Sequence, residues 1–471
     1  MEIRMETDGI GNMAVPAKAY YGVQSLRARK NFNITGRPLH PVFIKNLVKI
    51  KKAAAITNME TGLLDVKIGR AIIDACDEII SGKFLDEFIV DSIQGGAGTS
   101  ANMNANEVIA NRGIELLGGM KGDYTLIHPN DHVNMAQSTN DVIPSTGKLT
   151  ILELLPQTIH ELGRLKDAFT DKSIEFENIL KIGRTQLQDA VPMRLGQSFR
   201  AYKAVVDRDI KRLTSSLEDM NQLNMGGTAI GTGINTSPYY FDYIVHNINK
   251  ICGTKCRQGE DLIDSTQNLD GFVSISATLK ICGLNLSKIC NDLRLLSSGP
   301  RTGIHEINLP PMQNGSSIMP GKVNPVIPEV VNQVAFLIAG NDLTISMAAE
   351  AGQLELNAFE PVLFYHLFES IEALKGAVNT LTDNCILGIT ANQDRCMELL
   401  NSSVGISTAL CPYIGYQKAA SLAKKSLETG MPFKELVVLE GLLKPDALDT
   451  ILEPISMTTP VHFTDKTLIN L

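Results

Sequence analysis

The stretch Val330-Val-Asn-Gln-Val-Ala-Phe-Leu-Ile-Ala339 carries large apolar side chains on almost every side of the helix that it predicts. Its polar residues, Asn332 and Gln333, leave only a narrow face for water. A helix with so little polar surface must be covered on several sides. The stretch therefore predicts a helix in the interior of a larger helical assembly.

Apolar residues recur at steps of three and four through the middle of the chain, which is typical of long amphipathic helices. The helix from Phe199 to Leu223 should have about seven turns. Pro156 should kink the predicted helix over residues 149–169. The five predicted long helices run over residues 149–169, 199–223, 272–296, 328–349 and 361–381.

Five such helices in one chain would leave large apolar areas exposed to water. Association with copies of the same chain is the economical way to cover them. We therefore expect a homo-oligomer.

The two ends of the chain differ from this middle part. Residues before about 140 predict short helices, such as 47–59 and 67–80, between loops rich in Gly, Asn and Asp, with no dominant strand pattern. Shorter helical pieces, such as 416–429, follow Asn392 and are separated by Gly and Pro. We predict a mainly α protein of three domains, over residues 1–140, 141–391 and 392–471.

Charge and composition exclude some classes of function. The 471-residue chain has a net charge of -8, whereas a nucleic-acid partner would need a basic surface. A small anionic substrate stays possible, because a few cations and amides can reverse the field inside a pocket. Residues 1–8 are charged, and no run approaches the ~18 apolar residues of a membrane span. We expect a cytoplasmic protein without a membrane partner.

The eight cysteines are scattered, and only Cys252 and Cys256 lie close together in sequence. No second Cys or His pair stands at a zinc-ligand spacing from them. Buried structural thiols are the favoured interpretation, and a metal site is the weaker one.

Four polar segments punctuated by Gly or Pro interrupt the helical pattern. In chain order they are Gly95-Gly-Ala-Gly-Thr-Ser-Ala-Asn-Met-Asn104, Gln137-Ser-Thr-Asn-Asp141, Gly183-Arg-Thr-Gln-Leu-Gln-Asp-Ala-Val-Pro192 and Gly315-Ser-Ser-Ile-Met-Pro-Gly-Lys-Val-Asn-Pro325.

The fourth segment places two serines and a lysine just before a helix that Pro325 and Pro328 should open. Free amides at a helix start favour negative charge, and Lys322 adds a full positive charge. A serine hydroxyl is a very weak acid, so its alkoxide needs such surroundings. The segment suits anion binding or an ionised serine, but a flexible loop that caps a helix explains it equally well.

The other segments carry little meaning alone. The Gly95 segment lacks the Gly-Lys-Ser/Thr ending of a P-loop, so a glycine-rich turn is the better interpretation. Ser138-Thr-Asn140 and Thr185 would by default cap helices or form turns.

Taken together and in this order, the four segments resemble the aspartase/fumarase superfamily, whose signature loop is similar to Gly315–Pro325. The likeness extends from Val15-Pro-Ala-Lys-Ala-Tyr-Tyr-Gly22 to the C-terminal segment. Within the superfamily the chain looks more like the aspartate ammonia-lyases than the class II fumarases. The Gly95 segment, Val326-Ile-Pro-Glu329 and Ala351-Gly-Gln-Leu-Glu-Leu-Asn357 carry that distinction.

One position separates the chain from many superfamily members. They have His after the threonine of the Gly-Arg-Thr segment, where this chain has Gln186. The change weakens the fumarase interpretation, and it predicts that no imidazole acts as acid or base at that position. The eight histidines are interpreted as structural; His128 and His132 are the nearest to a site segment.

The resemblance implies elimination of ammonia from L-aspartate to give fumarate, without an organic cofactor or a catalytic metal. A charged enediolate forms, which the site must bind better than the ground state. The implied roles are Ser316 as general base, Lys322 and Asn324 with Thr185 on the α-carboxylate, Thr99, Ser138, Thr139 and Ser317 on the β-carboxylate, and Asn140 and Gln186 on the departing amine.

The resemblance also implies an assembly. In the superfamily, three motif regions from three subunits of a homotetramer form each site, and five long helices per chain form a twenty-helix core. A closing signature loop would exclude water, and a monomer should be inactive.

Three alternatives remain open at this point. A class II fumarate hydratase would use the same scaffold, but Gln186 and the Gly95 segment count against it. Another lyase of the superfamily would act on a succinyl-linked amine, yet its patterns match less well. An inactive structural member is disfavoured because the chain retains Ser316, Lys322, Asn324, Thr99 and Ser138.

Overall fold

Helices form most of the chain in a computed structural model, which describes residues 2–460. Met1 and the last eleven residues of the predicted C-terminal domain, 461–471, lie outside the described residues. The α-helices are α1 Val23–Asn31, α2 Pro41–Glu60, α3 Val66–Ile80, α4 Thr99–Leu116, α5 Thr139–Glu175, α6 Leu195–Ser216, α7 Pro238–Cys252, α8 Leu262–Gln267, α9 Asp270–Leu296, α10 Val326–Glu350, α11 Glu360–Asn384, α12 Gln393–Ser402, α13 Ser407–Ile414, α14 Tyr416–Thr429, α15 Phe433–Leu439, α16 Pro445–Ile451 and α17 Pro454–Thr458.

The predicted mainly α fold and its five long helices, α5, α6, α9, α10 and α11, are confirmed. The prediction was too long at one end: α6 stops at Ser216, and the chain continues as a 3-10 helix over Leu217–Asn221. Both Pro144 and Pro156 lie inside α5.

The strands are short and form two-stranded sheets only, within residues 2–460. They are β1 Ile3–Asp8 with β2 Gly11–Pro16, β3 Leu180–Thr185 with β4 Gln188–Arg194, β5 Gln222–Leu223 with β6 Arg257–Gln258, and β7 Ile307–Asn308 with β8 Thr390–Ala391. Only the β5–β6 pair is parallel.

The chain divides into two compact units. Unit 1 contains Met1–Ile159, Lys211–Cys282 and Phe336–Lys375, and unit 2 contains His160–Ile210, Gly283–Ala335 and Gly376–Leu471. The predicted division into three domains is a different partition, and it stays a prediction.

In unit 1, α2 packs against α3 and α7. Helix α3 shows why the local sequence folds as it does. The Asp65 carboxylate caps it by accepting from the N–H groups of Lys67 and Ile68, which satisfies donors that lack an intrahelical partner. Its buried residues then recur on one face, as an amphipathic helix requires; they are Gly69, Ala71, Ile72, Ala75, Cys76 and Ile79.

In unit 2, α12 packs on the hairpin of β3 and β4, and α17 contacts β4. The C-terminal helices of this unit enclose an apolar cluster of their own. Its buried members are Leu410, Leu422, Phe433, Leu436, Val437, Leu443, Leu448 and Ile451.

Helix α10 combines a very apolar sequence with incomplete burial. By length and composition it could cross a membrane, and 39% of its most apolar stretch is buried within the chain. The prediction concerned an unbroken apolar run, and α10 contains none of about 18 residues, because Asn332, Gln333 and Asn341 interrupt its apolar sequence. The polar residues of α10 nevertheless contact other helices: Asn332 donates to Ser287, and Asp342 accepts from Ser276. A helix that is enclosed by other helices can be as apolar as one that crosses a membrane.

Gly147 in α5 allows the ring of Phe364 in α11 to approach the helix backbone. A Cβ added at Gly147 would overlap this ring, whereas one added at Gly163 of the same helix meets no atom within 4 Å.

We therefore predict that Gly147→Ala lowers the free energy of unfolding by about 1–3 kcal/mol through overpacking. Gly163→Ala should instead raise it by about 0.5–1 kcal/mol, since alanine favours helix. Urea unfolding of both variants checks this, and equal stabilisation by both would contradict the packing explanation.

Candidate active site

The first site segment of unit 1 begins with a tight turn that leads directly into α4. Gly96, Ala97 and Gly98 have φ of 84, 54 and 84°, and Thr99 donates to the carbonyl of Gly96 through its N–H and its hydroxyl at 2.9 and 2.7 Å. A Cβ added at Gly98 would lie 2.9 Å from Ile143 in α5. The turn thus packs against the start of α5 and holds Thr99 at the first position of α4, where its side chain is exposed.

The second segment leads into α5. The Ser138 hydroxyl accepts from the N–H of Asn140 at 3.2 Å, which caps the helix, and the amide of Asn102 in α4 donates to the Thr139 hydroxyl at 3.3 Å. Ser138, Thr139 and Asn140 are all partly buried. Two of the predicted polar segments are therefore joined at the starts of two neighbouring helices.

Asn140 is fixed at both its side chain and its backbone. Its amide Nδ2 donates to the Ala229 carbonyl at 2.7 Å, and the Asn224 amide donates to the Asn140 carbonyl at 2.9 Å. Asn224 and Ala229 belong to residues 224–233, which we call the glycine-rich turn. The contact leaves the Oδ1 atom of Asn140 available as an acceptor.

A fully buried lysine, which the sequence did not single out, lies beneath these segments. The Lys51 ammonium in α2 donates to Asn134 Oδ1 at 2.8 Å and to Gln137 Oε1 at 2.9 Å. Asn102 and Asn106 donate to the same Asn134 oxygen at 3.1 and 3.2 Å. Burial lowers the pKa of Lys51 to about 7, against the attraction of Asp141.

A buried carboxylate stands next to Asn140 in sequence. Asp141 is fully buried, and burial raises the pKa of its carboxyl to about 6, against hydrogen bonds from Ser138, Thr228 and Gly226 and the charge of Lys51. Two buried ionisable groups of opposite charge thus lie behind the segment of Ser138, Thr139 and Asn140.

In unit 2, Thr185 and Gln186 lie at the tip of the β3–β4 hairpin. Thr185 pairs with Gln188 across a two-residue loop, in which Gln186 and Leu187 have φ of 56 and 63°. Positive φ at both loop positions belongs to the turn that matches strand twist, which usually takes Asn-Gly. The hairpin therefore holds Thr185 and Gln186 exposed, in a conformation that costs energy for residues with a side chain.

The base of this hairpin is secured by one carboxylate. Glu306 is fully buried, and its two oxygens contact Lys181 at 3.0 Å and Arg184 at 2.8 Å, both on β3. The strand that ends at Thr185 is thereby fixed at two points.

The signature loop of unit 2 is organised around Ser316. Its hydroxyl oxygen accepts from the N–H groups of Ile318 and Met319 at 3.2 and 3.0 Å. Two backbone donors on one serine oxygen favour negative charge there. Ser316 is partly buried, whereas Ser317 is exposed.

The same loop is closed by contacts between its ends. The Gly315 N–H donates to the Lys322 carbonyl at 3.0 Å, and the Asn324 amide donates to the Gly315 carbonyl at 2.6 Å. The backbone of Lys322 is thus fixed while its side chain is exposed. Helix α10 begins at Val326, two residues before the predicted start.

The ten predicted site residues divide between the two units. Unit 1 contains Thr99, Ser138, Thr139 and Asn140, and unit 2 contains Thr185, Gln186, Ser316, Ser317, Lys322 and Asn324. Within each unit the segments are held by the contacts described above, but their roles stay predictions.

The histidines near the site accept hydrogen bonds from backbone N–H groups. His128 Nδ1 accepts from the N–H groups of Asn130 and Asp131, and His132 Nδ1 accepts from the N–H of His128. None of the cysteines between residues 2 and 460 forms a disulfide. No group of three or more His, Cys, Asp or Glu side chains in this described part could hold a metal ion.

Sequence reasoning missed Lys51, Asp141, Glu306 and the glycine-rich turn. A charged residue between apolar ones, as in Ile50-Lys-Lys-Ala53, is a weak signal of a buried cation. Asp141 directly follows a predicted site residue. The four glycines at 226, 227, 231 and 233 also marked a turn.

The chain is similar to known proteins over most of its length. Residues 11–340 match a family model described as "Lyase", and residues 406–459 match one described as "Fumarase C C-terminus". An aspartate ammonia-lyase from Bacillus sp is 51% identical over 459 residues, which are 98% of each chain.

Two solved structures are also similar. The fumarate lyase:delta crystallin from Brucella melitensis bound to cobalt has a TM-score of 0.95 at 47% identity, and covers 98% of this chain and 100% of its own. The recombinant class II fumarase from Schistosoma mansoni has a TM-score of 0.93 at 34% identity, with the same coverage.

Lys51 gives a prediction on pH. Because its pKa is near 7 in the folded state and higher when unfolded, the unfolded chain binds the extra proton between about pH 7 and 10. Its contribution to stability therefore rises with pH in that window. We predict that Lys51→Met reduces the gain in free energy of unfolding between pH 7 and 9 by about 1–3 kcal/mol.

Urea unfolding at both pH values measures this difference, at one protein concentration. Lys52→Met is the matched control, because Lys52 is the next residue of α2 and pairs with the half-exposed Asp77. A wild-type gain unchanged in Lys51→Met would contradict the prediction.

Proposed function

The chain belongs to the aspartase/fumarase superfamily of lyases, and from that premise we propose that it eliminates ammonia from L-aspartate to give fumarate. It is a carbon–nitrogen lyase. The proton leaves C3, the C–N bond breaks, and the amine departs as ammonia.

The observation that carries the proposed mechanism is the pair of backbone N–H groups on Ser316 Oγ. Removing the C3 proton needs a strong base, and a serine alkoxide is strong enough only if its charge is stabilised. Amide donors on the oxygen, the start of α10 and the nearby Lys322 all favour that charge. Ser316 is therefore the proposed general base.

Electrostatic stabilisation of the enediolate requires donors that are already in place. Thr99, Ser138, Thr139 and Ser317 would donate hydroxyls to the β-carboxylate as it gains charge. Lys322, Asn324 and Thr185 would bind the α-carboxylate. Thr99 and Thr139 are also the first residues of α4 and α5, whose free amides favour anions.

The amine would be bound by acceptors. Asn140 uses its NH₂ group on the Ala229 carbonyl, so Oδ1 is the atom that can face an ammonium. Gln186 at the hairpin tip would supply a second amide. Neither group titrates, so Asn140 and Gln186 would bind the amine without a change in their own charge.

The principal alternative is hydration of fumarate on the same scaffold. Identity to the Bacillus aspartate ammonia-lyase is 51%, against 34% to the Schistosoma fumarase. Gln186 also points away from hydration, because many members of the superfamily have at this position a His that is often assigned a catalytic role in fumarases. Elimination of ammonia is thus the better-supported function.

We predict that Ser316→Ala lowers kcat for fumarate formation from L-aspartate by about 10²–10⁴-fold, the usual contribution of a general base. The absorbance of fumarate measures the rate. Ser317→Ala is the matched control, because it removes the neighbouring exposed hydroxyl and should cost less in kcat.

L-Malate in a parallel assay decides the reaction class. Fumarate from malate alone would overturn the proposed function, and equal losses in both serine variants would overturn the role of Ser316. No fumarate from either substrate would favour an inactive member or a lyase for larger amines.

We also propose that the enzyme is a homotetramer in which copies share active sites. Exposed apolar side chains on the long helices support this: Phe336 is 65%, Leu343 63% and Met347 64% exposed on α10, and Leu284 is 49% exposed on α9. Apolar surface of this extent on neighbouring turns is typical of interfaces. A tetramer would cover it.

We predict that Phe336→Asp yields smaller species with little activity, because a charge would be buried without a partner. Leu427→Asp is the control, since Leu427 is similarly exposed on the C-terminal α14. Sedimentation velocity and the aspartate assay check both variants. A fully active monomer would contradict the proposal of shared sites.

A soluble enzyme is supported by the contacts of α10 and by the relatives, and a cytoplasmic location is proposed. The proposed chemistry uses serine, lysine and amide groups, so neither a metal nor an organic cofactor enters any step.

A further inference from the structure

The carboxylate of Asp141 joins two separate parts of unit 1. Its Oδ1 accepts from the N–H of Ser138 at 2.9 Å, and its Oδ2 accepts from the N–H groups of Gly226 and Thr228 at 3.2 and 3.1 Å. Ser138 belongs to the second site segment, and the other two donors belong to the glycine-rich turn. One fully buried side chain thus fixes the turn against the site.

The glycine-rich turn has little freedom of its own. Gly226, Thr228 and Gly231 have φ of 94, 54 and 101°, and positive φ is costly for threonine. A Cβ at Gly231 would overlap the backbone of Leu262. The turn is therefore packed closely against α8, and the N–H groups of Gly226 and Thr228 have Asp141 as their acceptor.

The turn returns to the site at Asn140. The Ala229 carbonyl, one residue after Thr228, accepts from Asn140 Nδ2, and Asn224 at the start of the turn holds the Asn140 carbonyl. Asn224 is fully buried, and its Oδ1 accepts from Ser145 at 3.0 Å. These bonds form a closed ring from Asp141 through the turn to Asn140 and back along the chain.

We propose that Asp141 is a positioning residue for the amine: through the glycine-rich turn it sets the orientation of the Asn140 amide relative to the Ser138 hydroxyl. This inference rests on the proposed function, in which Asn140 binds the amine and Ser138 binds a carboxylate. Asp141 itself touches neither. Without the Asp141 carboxylate, the glycine-rich turn would no longer hold the Ala229 carbonyl in place for the Asn140 amide. Asn140 would then turn its NH₂ group toward the positively charged amine.

Asp141→Asn tests this with little change in shape. The asparagine NH₂ must face at least one backbone N–H, so a buried donor loses its acceptor. In assays of the reverse reaction, the addition of ammonia to fumarate, we expect KM for ammonia to rise ~10-fold or more and KM for fumarate to change much less. The kcat for elimination should fall about 100-fold, as for displaced catalytic groups.

Glu107→Gln is the matched control for a purely structural effect. Glu107 is also a buried carboxylate of unit 1, and it accepts from the N–H groups of Gly22, Gln24 and Ser25. It contacts none of the proposed site residues. It should lower thermal stability as Asp141→Asn does, and leave the ratio of the two KM values unchanged.

Asn224→Ser is a second variant, which loosens Asn140 without altering the carboxylate, in case Asp141→Asn does not fold. It should shift KM for ammonia in the same direction by a smaller factor. The inference is overturned if KM for ammonia and KM for fumarate rise by the same factor in Asp141→Asn. It is also overturned if Glu107→Gln changes the ratio of these two KM values as much as Asp141→Asn does. Failure of the proposed function would be distinct, because wild-type protein would then form no fumarate from aspartate.

Discussion

Backbone N–H groups at the first turn of a helix have no intrahelical partner, and this constraint shapes the candidate site. Three of the four polar segments contain or directly precede the start of a helix: Thr99 opens α4, Thr139 opens α5, and the signature loop precedes α10. Each start offers donors and a partial positive charge. A dicarboxylate that gains charge, as in the proposed reaction, is the kind of ligand that such helix starts favour.

The long helices could be predicted because their periodicity persists over many turns and is read from local sequence. Helix α14 was predicted with the observed bounds, Tyr416–Thr429. The β3–β4 hairpin could not be predicted, because Gln186-Leu187 is not a sequence that favours its turn. Glu306, distant in sequence, anchors the strand through Lys181 and Arg184. Tertiary contacts thus override local preference at that site segment.

The candidate site shows the same division. Its ten residues could be proposed from the sequence because four contiguous segments resemble the motifs of the superfamily, and their roles stay predictions. The groups behind them could not: Lys51 lies in an apolar helix, and its partners Asn134 and Gln137 come from a segment more than eighty residues away. The partners of Asp141 at Gly226 and Thr228 are as distant. Sequence spacing gives no information on which backbone donors a buried carboxylate will meet.

Because residue 186 is Gln and provides no imidazole, the proposed reaction needs its base from the signature loop. His128 and His132 accept hydrogen bonds from backbone N–H groups. In the proposed mechanism a serine hydroxyl therefore removes the proton, and its ionisation must be supported by its surroundings. The loop does this with its own backbone: Ile318 and Met319 donate to Ser316, while Gly315 and Asn324 close the loop around Lys322. Because these bonds are all internal to the loop, Ser316 and the backbone of Lys322 can move together. A loop that closed over the substrate would then deliver the base and the cation in one step, already in register with each other.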